Sequence, residues 1–222
     1  TYEMFQGKDP RFLASIYVPG SSLLGSTMQF QRGLILKDGS KYYAQSAPGP
    51  SYLLETYIDP ETQRKDTIFG KDGGTYTGDA SKTGFNIRKF VNENLKTEAQ
   101  WDFGKTETSF PIFRLAEVYL NLAEAAVEMG KYQTEAFEAI KKIRDRAGVV
   151  TPFAVVDVEK VRHERQVELA FEGHRFWDMK RWRIAHLPVE QGGLNGFRGA
   201  GLHPFFDLRI RKYVFEVAND LP

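Results

Sequence analysis

The chain has 222 residues, 41% hydrophobic and 27% charged, enough to bury one sizeable core as a single domain or as two fused halves. With 30 Lys and Arg against 29 Asp and Glu, its net charge of +1 disfavours nucleic acid and anionic membrane surfaces as partners. No cysteine is present, which excludes disulfides, thiolate metal sites and a cysteine nucleophile, and no apolar run is long enough for a membrane-spanning helix.

The chain opens Thr1-Tyr2-Glu3 with no charged n-region and no apolar h-region. Any export signal is therefore expected upstream or already removed, and the chain reads as a fragment or a processed product. Residues 1–110 are rich in Gly, Thr, Ser, Tyr and Phe, punctuated by Asp9-Pro10, Pro19-Gly20, Asp38-Gly39, Pro48-Gly49-Pro50 and Gly73-Gly74. That composition predicts loops with short strands. Aromatic and β-branched residues gather between turns at 12–18, 33–36, 51–58 and 85–90, the strand candidates.

The pattern changes at Phe110-Pro111. Leu115, Val118, Tyr119, Leu122, Ala123, Ala126 and Met129 recur at helical spacing and predict a helix from Ile112 with one apolar stripe, closed by Gly130. After a short link, Thr134 is expected to cap a second helix with Phe137, Ile140, Ile143 and Ala147 on its buried face, ending at Gly148 with Arg144 and Arg146 near the negative end of its dipole. So short a link makes the two helices antiparallel, like one tetratricopeptide hairpin, and further helices must cover it. Pro152 breaks the chain, Asp157 caps a third helix running to Phe171 before Gly173, and Arg175 to Trp182 forms a short aromatic and basic helix. The remainder, with Gly192, Gly193, Gly196, Gly199 and Gly201, is expected to be loop.

The densest chemistry lies between Val161 and Trp182. His163 with Glu164 and Glu168, or His174 with Asp178, offer acid and base groups. The favoured reading is structural: Glu164, Glu168 and Glu172 pair with Arg165, Arg175 and Arg181 against packed aromatics, so that Glu172, Arg175 and Trp177 are scaffold. The zinc-protease helix pattern is absent, since Val167, and not a second His, stands at the fifth position of a motif that begins His163-Glu164. Asp72-Gly73-Gly74 with Asp79 lacks the alternating acidic ligands of a calcium loop and is read as a turn. No nucleophile elbow, phosphate loop or dinucleotide fingerprint occurs, so no catalytic, metal or cofactor residues are assigned.

Arg162-His163-Glu164-Arg165, Glu168-Leu169-Ala170-Phe171-Glu172-Gly173, Arg175-Phe176-Trp177-Asp178 and Arg181-Trp182 together resemble the hallmark segment of the SusD/RagB family. Phe110-Pro111, Arg114 to Asn121 with Ala123-Glu124-Ala125, Ile143 to Gly148, Asp9-Pro10-Arg11, and Gly84-Phe85 with Arg88-Lys89-Phe90 extend the resemblance, in family order, over most of the chain. The resemblance implies a surface lipoprotein of Bacteroidetes-type bacteria that captures oligosaccharide or another nutrient. It implies delivery to a SusC-like TonB-dependent outer-membrane transporter, with membrane attachment only through a lipid anchor outside this chain. The hallmark helices would then be scaffold, and the family's N-terminal helical-repeat part and closing segment are absent here.

Sugar sites need flat aromatic faces with a few polar groups for the hydroxyls. Tyr42, Tyr43, Tyr52, Tyr57, Tyr76 and Trp101 are the candidates for ligand binding, with Gln45, Asp59, Arg64 and Asn86 as polar neighbours. The resemblance favours Tyr42, Tyr43 and Tyr52. The expected fold is mainly α with minor α+β character: a tetratricopeptide-like helical bundle with a loop-rich cap containing short strands. Its parts are residues 1–110 with the candidate ligand surface, a helical core at 111–182 and a C-terminal loop segment at 183–222. The expected function is binding without catalysis; the rivals are a glycan-cleaving enzyme using paired carboxylates and a helical-repeat interaction scaffold.

Overall fold

The computed structural model describes residues 5–43, 56–73, 84–94, 108–188, 191–195 and 201–218. In chain order the elements are α1 (Pro10–Ser15), β1 (Ile16–Tyr17), β2 (Ser22–Leu23), β3 (Ser26–Thr27), β4 (Gly33–Ile35), β5 (Lys41–Tyr43), β6 (Thr56–Ile58), β7 (Lys65–Thr67) and β8 (Asn86–Ile87). Then follow α2 (Leu115–Glu128), α3 (Gln133–Arg146), α4 (Val158–Glu168), α5 (His174–Arg181), β9 (Gly201–Asp207) and β10 (Lys212–Ala218).

The run at 12–18, expected as a strand, is mostly helix. The Asp9 side chain accepts the Arg11 amide at 2.9 Å and Pro10 occupies the first helical turn, so a strong helix start overrides the apolar composition behind it. Only Ile16 and Tyr17 stay extended, paired with Ile87 and Asn86 of β8.

The larger sheet has the order β10-β9-β4-β5, with β4 parallel to β9 and the other pairs antiparallel. It corrects the expectation of loop at the C-terminal end, because β9 and β10 are seven residues each and pair over their whole length. Two features hide this hairpin in the sequence: the glycines before it, and Pro204, which argues against an interior strand. Here the Pro204 carbonyl is used instead, accepting the Arg32 amide at 2.8 Å. At the tip, Asp207 accepts the Arg209 amide at 2.9 Å and closes the turn. Gly33 is needed on β4, since a Cβ there would stand 2.5 Å from the Tyr42 carbonyl oxygen.

The helical core is built on small residues. Ala116, Leu120, Ala123 and Ala126 of α2 meet Ala136, Ala139, Ile140 and Ile143 of α3, with Val156, Val161 and Leu169 closing the third side. Alanines let the two helices approach closely, and fully buried Leu120 and Ile140 fill what remains. This corrects the expected stripe on α2. Tyr119, Ala123 and Ala126 do face inward, but Leu115, Val118, Leu122 and Met129 are exposed. The helix is apolar around more than half its circumference, and periodicity alone favoured the larger side chains.

The helix ends also differ in detail. Tyr132, in the left-handed region at φ 60°, precedes α3, so Thr134 lies inside the helix and does not cap it. Gly130 and Gly148, at φ 64° and 69°, close α2 and α3 as expected, and Asp157 caps α4 by accepting the Lys160 amide at 2.8 Å. However, α4 stops at Glu168, and Gly173 starts α5 instead of ending α4.

Candidate binding face and the buried ionic clasp

Residues paired directly across neighbouring strands project to one face of a sheet. The pairings Tyr42 with Leu34, Leu34 with Phe206 and Phe206 with Tyr213 therefore line up one row across β5, β4, β9 and β10. Leu34, in the middle of that row, is fully buried in a cluster with Ile68 and Leu208 against which Tyr42 and Phe206 pack, and Tyr42, Phe206 and Tyr213 are half-buried. Tyr57 of β6 joins the row, its ring 5.7 Å from that of Tyr42 at 54°. At the other end Phe206 and Tyr213 meet edge to face at 5.2 Å, and Tyr213 donates to the Gln31 amide oxygen at 3.1 Å.

Charged groups border these rings. Arg211 lies 4.8 Å above the centroid of Phe206 and donates to both Asp66 oxygens at 2.8 and 2.9 Å. Arg64 stands 3.6 Å from the same carboxylate and is largely exposed. Asp59 accepts the amides of Thr62 and Glu61, each at 3.0 Å, and an ion pair from Lys37. The Thr62 amide and the Lys37 ammonium hold its carboxyl down to about 2. That geometry makes Asp59 the brace of the β6–β7 turn more than a free ligand group.

Of the six aromatic candidates, the structure brings Tyr42 and Tyr57 together. The backbone of Tyr43 continues β5, but its side chain lies outside the described residues, as do Tyr52, Tyr76, Trp101 and the polar candidate Gln45. Asn86 belongs to the separate β1–β8 pair. Phe206, Arg211 and Tyr213 are not among the sequence candidates, because the glycines before β9 and Pro204 within it make their segment read as loop. The apolar run of Phe205, Phe206 and Leu208, followed by Tyr213, Val214 and Phe215 after a short turn, was the signal available for a hairpin.

The hallmark segment makes a different object. Glu164 accepts from Arg11 at 2.6 Å and from Arg144 at 2.8 Å. Glu168 accepts from Arg114 and Arg146, each at 2.6 Å, and from Arg11 at 3.0 Å. Glu172 takes both arms of Arg114 at 2.7 Å and an ion pair from Lys89 at 2.6 Å. Glu164 and Glu168 stand one helical turn apart on α4 and Glu172 lies in the turn that follows it, and together the three tie the start of α1, the loop at Lys89, the start of α2 and the end of α3 into one clasp. Burial opposes ionisation of Glu172, but the hydrogen bonds from Arg114 and Lys89 outweigh it and hold the carboxyl below its ordinary range.

The clasp confirms an ionic scaffold and corrects its partners. Arg165 and Arg181 bind Asp178 at 2.7 and 3.0 Å, and Arg175 donates to the Gly192 carbonyl at 2.9 Å, so among the described residues none of the three pairs with Glu164, Glu168 or Glu172. Trp182 is the packed tryptophan, with Arg162 and Arg181 each 4.8 Å from its ring centroid and its Nε1 donating to Glu124 at 2.6 Å. Trp177, expected to be a packed ring, is 65% exposed, so the loss of about 3 to 5 kcal/mol that truncating a buried ring brings does not apply to it. His163 is exposed and His174 stands 3.9 Å from Glu117, so neither histidine is joined to Glu164, Glu168 or Asp178 by a hydrogen bond among the described residues.

Residues 1–202 match the model of the SusD family. Two SusD-like proteins of Formosa agariphila are similar: P2 is 32% identical over 101 residues, 40% of this chain and 20% of that protein, and P25 is 39% identical over 80 residues, 33% of this chain and 15% of that protein. The crystal structure of a SusD-like carbohydrate binding protein from Bacteroides fragilis superposes with a TM-score of 0.56 at 29% identity, covering 83% of this chain and 30% of that one. The chain thus spans less than a third of the length of these relatives. Its motifs, its helical part with accompanying short strands and the match along most of its length agree: the chain belongs to the SusD family.

Proposed function

We propose that the protein is a cell-surface receptor that binds oligosaccharide, or another nutrient, and releases it unchanged. The observation that carries this reading is the half-buried row of Tyr42, Phe206 and Tyr213 with Tyr57 beside it, bordered by Arg211 and Asp66. Half-buried aromatic rings held by a core cluster suit the apolar faces of pyranoses, and the guanidinium and carboxylate suit their hydroxyls. The Bacteroides fragilis relative is named for carbohydrate binding, which supports the same ligand class.

Binding without turnover is part of the proposal. A glycosidase needs one carboxyl free to donate a proton and a second facing the sugar. Glu164 and Glu168 have side chains 2% and 1% exposed, with their oxygens engaged by guanidinium groups, so the paired-carboxylate rival has no working pair there. No cofactor or metal enters the scheme.

Delivery to a SusC-like TonB-dependent transporter, and attachment to the outer membrane through a lipid anchor outside residues 1–222, complete the reading. Among the described residues no helix is long and apolar enough to cross a membrane. The α2–α3 hairpin takes the part of one tetratricopeptide-like unit. Residues 1–110 and the β9–β10 hairpin of 183–222 carry the ligand surface together, and 111–182 form the helical core. A glycan array followed by a reducing-end assay on the glycans retained tests the proposal. Retention without new reducing ends supports it, and reproducible release of reducing ends overturns binding without turnover.

A further inference from the structure

Two guanidinium groups border the aromatic row, and they are held unequally. Arg211 stands in the β9–β10 turn with its backbone in the left-handed region at φ 54°. Its guanidinium, 4.8 Å from the Phe206 ring centroid, spends donors on both Asp66 oxygens at 2.8 and 2.9 Å. Asp66 pairs directly with Tyr57 across β6 and β7, so its side chain projects to the same face as that ring. Arg64, two residues before Asp66, stands 3.6 Å from one of these oxygens, too far for a hydrogen bond. It is 61% exposed, and among the described residues its guanidinium donates no hydrogen bond.

One carboxylate thus serves two arginines and satisfies only the first. Lys37, the cation on the other side of the β6–β7 turn, shows the contrast, since it is held between Asp59 at 3.0 Å and Glu61 at 2.6 Å. Lys65 pairs with Ile58 and projects to the opposite face, away from Tyr57. A guanidinium presents its donors as a planar fork that fits a carboxylate or a sulfate, and such charge-assisted bonds are stronger than bonds to neutral hydroxyls. Neutral pyranose hydroxyls would leave the fork of Arg64 half used, whereas an oxyanion on the sugar would complete it and balance the second positive charge.

We propose that the glycan taken by this face is acidic, its uronate carboxylate or sulfate ester held by Arg64 and Arg211 while its rings lie against Tyr42 and Tyr57. The inference rests on the receptor reading above and names its ligand class. Affinity gel electrophoresis of the full-length protein tests it with pectate and alginate as carboxylated probes, carrageenan and fucoidan as sulfated ones, and laminarin, xylan and galactan as neutral ones. At least one acidic polysaccharide is expected to retard the protein. Reducing its carboxyls or removing its sulfates should weaken binding at least about tenfold, and the treatment that does so identifies the oxyanion. Arg64→Ala should weaken binding about fivefold with an unchanged Tm, since an exposed cation acts through screened charge. Lys65→Ala, on the opposite face, should leave binding as it was. Equal losses in the two variants would show general attraction of a polyanion and overturn the proposal. Retention of a neutral polysaccharide alone, weakened by Tyr57→Ala, overturns the acidic ligand and leaves the receptor reading standing. Retention of none of the probes counts against the receptor reading itself and removes this inference with it.

Discussion

Replacing Glu168 by Gln tests the clasp at its centre. The side chain is 1% exposed, with one oxygen accepting from Arg114 and Arg146 and the other from Arg11. Gln keeps the shape but turns one acceptor into a donor and leaves guanidinium groups around a neutral amide. Breaking a buried pair in this way costs about 3 to 5 kcal/mol. Arg146 is 61% exposed and can turn to water, which points to about 3 kcal/mol, the lower end of that range. For a chain of this size about 2–4 °C accompany each kcal/mol, so Tm should fall by roughly 6–12 °C. Thermal unfolding followed by circular dichroism and calorimetry reads the change, with Glu128→Gln on the exposed surface of α2 as a control that stays within about 0.5 kcal/mol. A Glu168→Gln variant melting within about 2 °C of the parent would refute the idea that Glu168 anchors the junction of α1, α2, α3 and α4.

Trp177→Ala should change stability by less than about 1 kcal/mol, because the ring is largely exposed; a fall of more than about 3 kcal/mol would restore it to the scaffold. Gly33→Ala should cost about 1 to 3 kcal/mol, as the added methyl pushes β4 from the Tyr42 carbonyl, and an unchanged urea midpoint would contradict that contact. Asp9 and Glu172 are both held below their ordinary values of 3.8 and 4.5, so each contributes stability that is fully present above those values and lost as pH falls through the lowered ones. The urea midpoint should hold steady near neutrality and drop progressively from about pH 4.5 downward, and a midpoint that rises on acidification would show the sign to be wrong.

The helices were legible because their signals are local. Gly130, Gly148 and Asp157 mark ends that need a left-handed residue or a side-chain acceptor, and these stand in the sequence as they do in the fold. The direction of α2 was not, since its small and large apolar residues form two adjacent stripes and only its neighbours determine which is buried. The charged segment declared itself as an ion network, yet its partners lie far away in sequence: Arg11 is 153 and 157 residues from the two glutamates it bridges. Spacing along α4 cannot reveal such contacts. Tyr42 and Tyr57 were found by composition beside turns, whereas Phe206 and Tyr213 reach the same face through a parallel β4–β9 pairing across more than 170 residues. Non-local pairing of that kind leaves little trace in local pattern, and Pro204 concealed even the strand.

The central claim is that sugar binds across the aromatic row of the sheet, and calorimetric titration of Tyr57→Ala beside the parent chain tests it most directly. The titrant is the oligosaccharide retained most strongly on the array, and Tm is recorded for both proteins. Tyr57 is half-buried and packs against the Leu34, Ile68 and Leu208 cluster. The account predicts that Tyr57→Ala weakens binding by about 1 to 3 kcal/mol, a loss of roughly fivefold to more than a hundredfold in affinity, while the variant remains folded at the titration temperature. A folded Tyr57→Ala variant that binds as tightly as the parent would place the ligand elsewhere and contradict the claim.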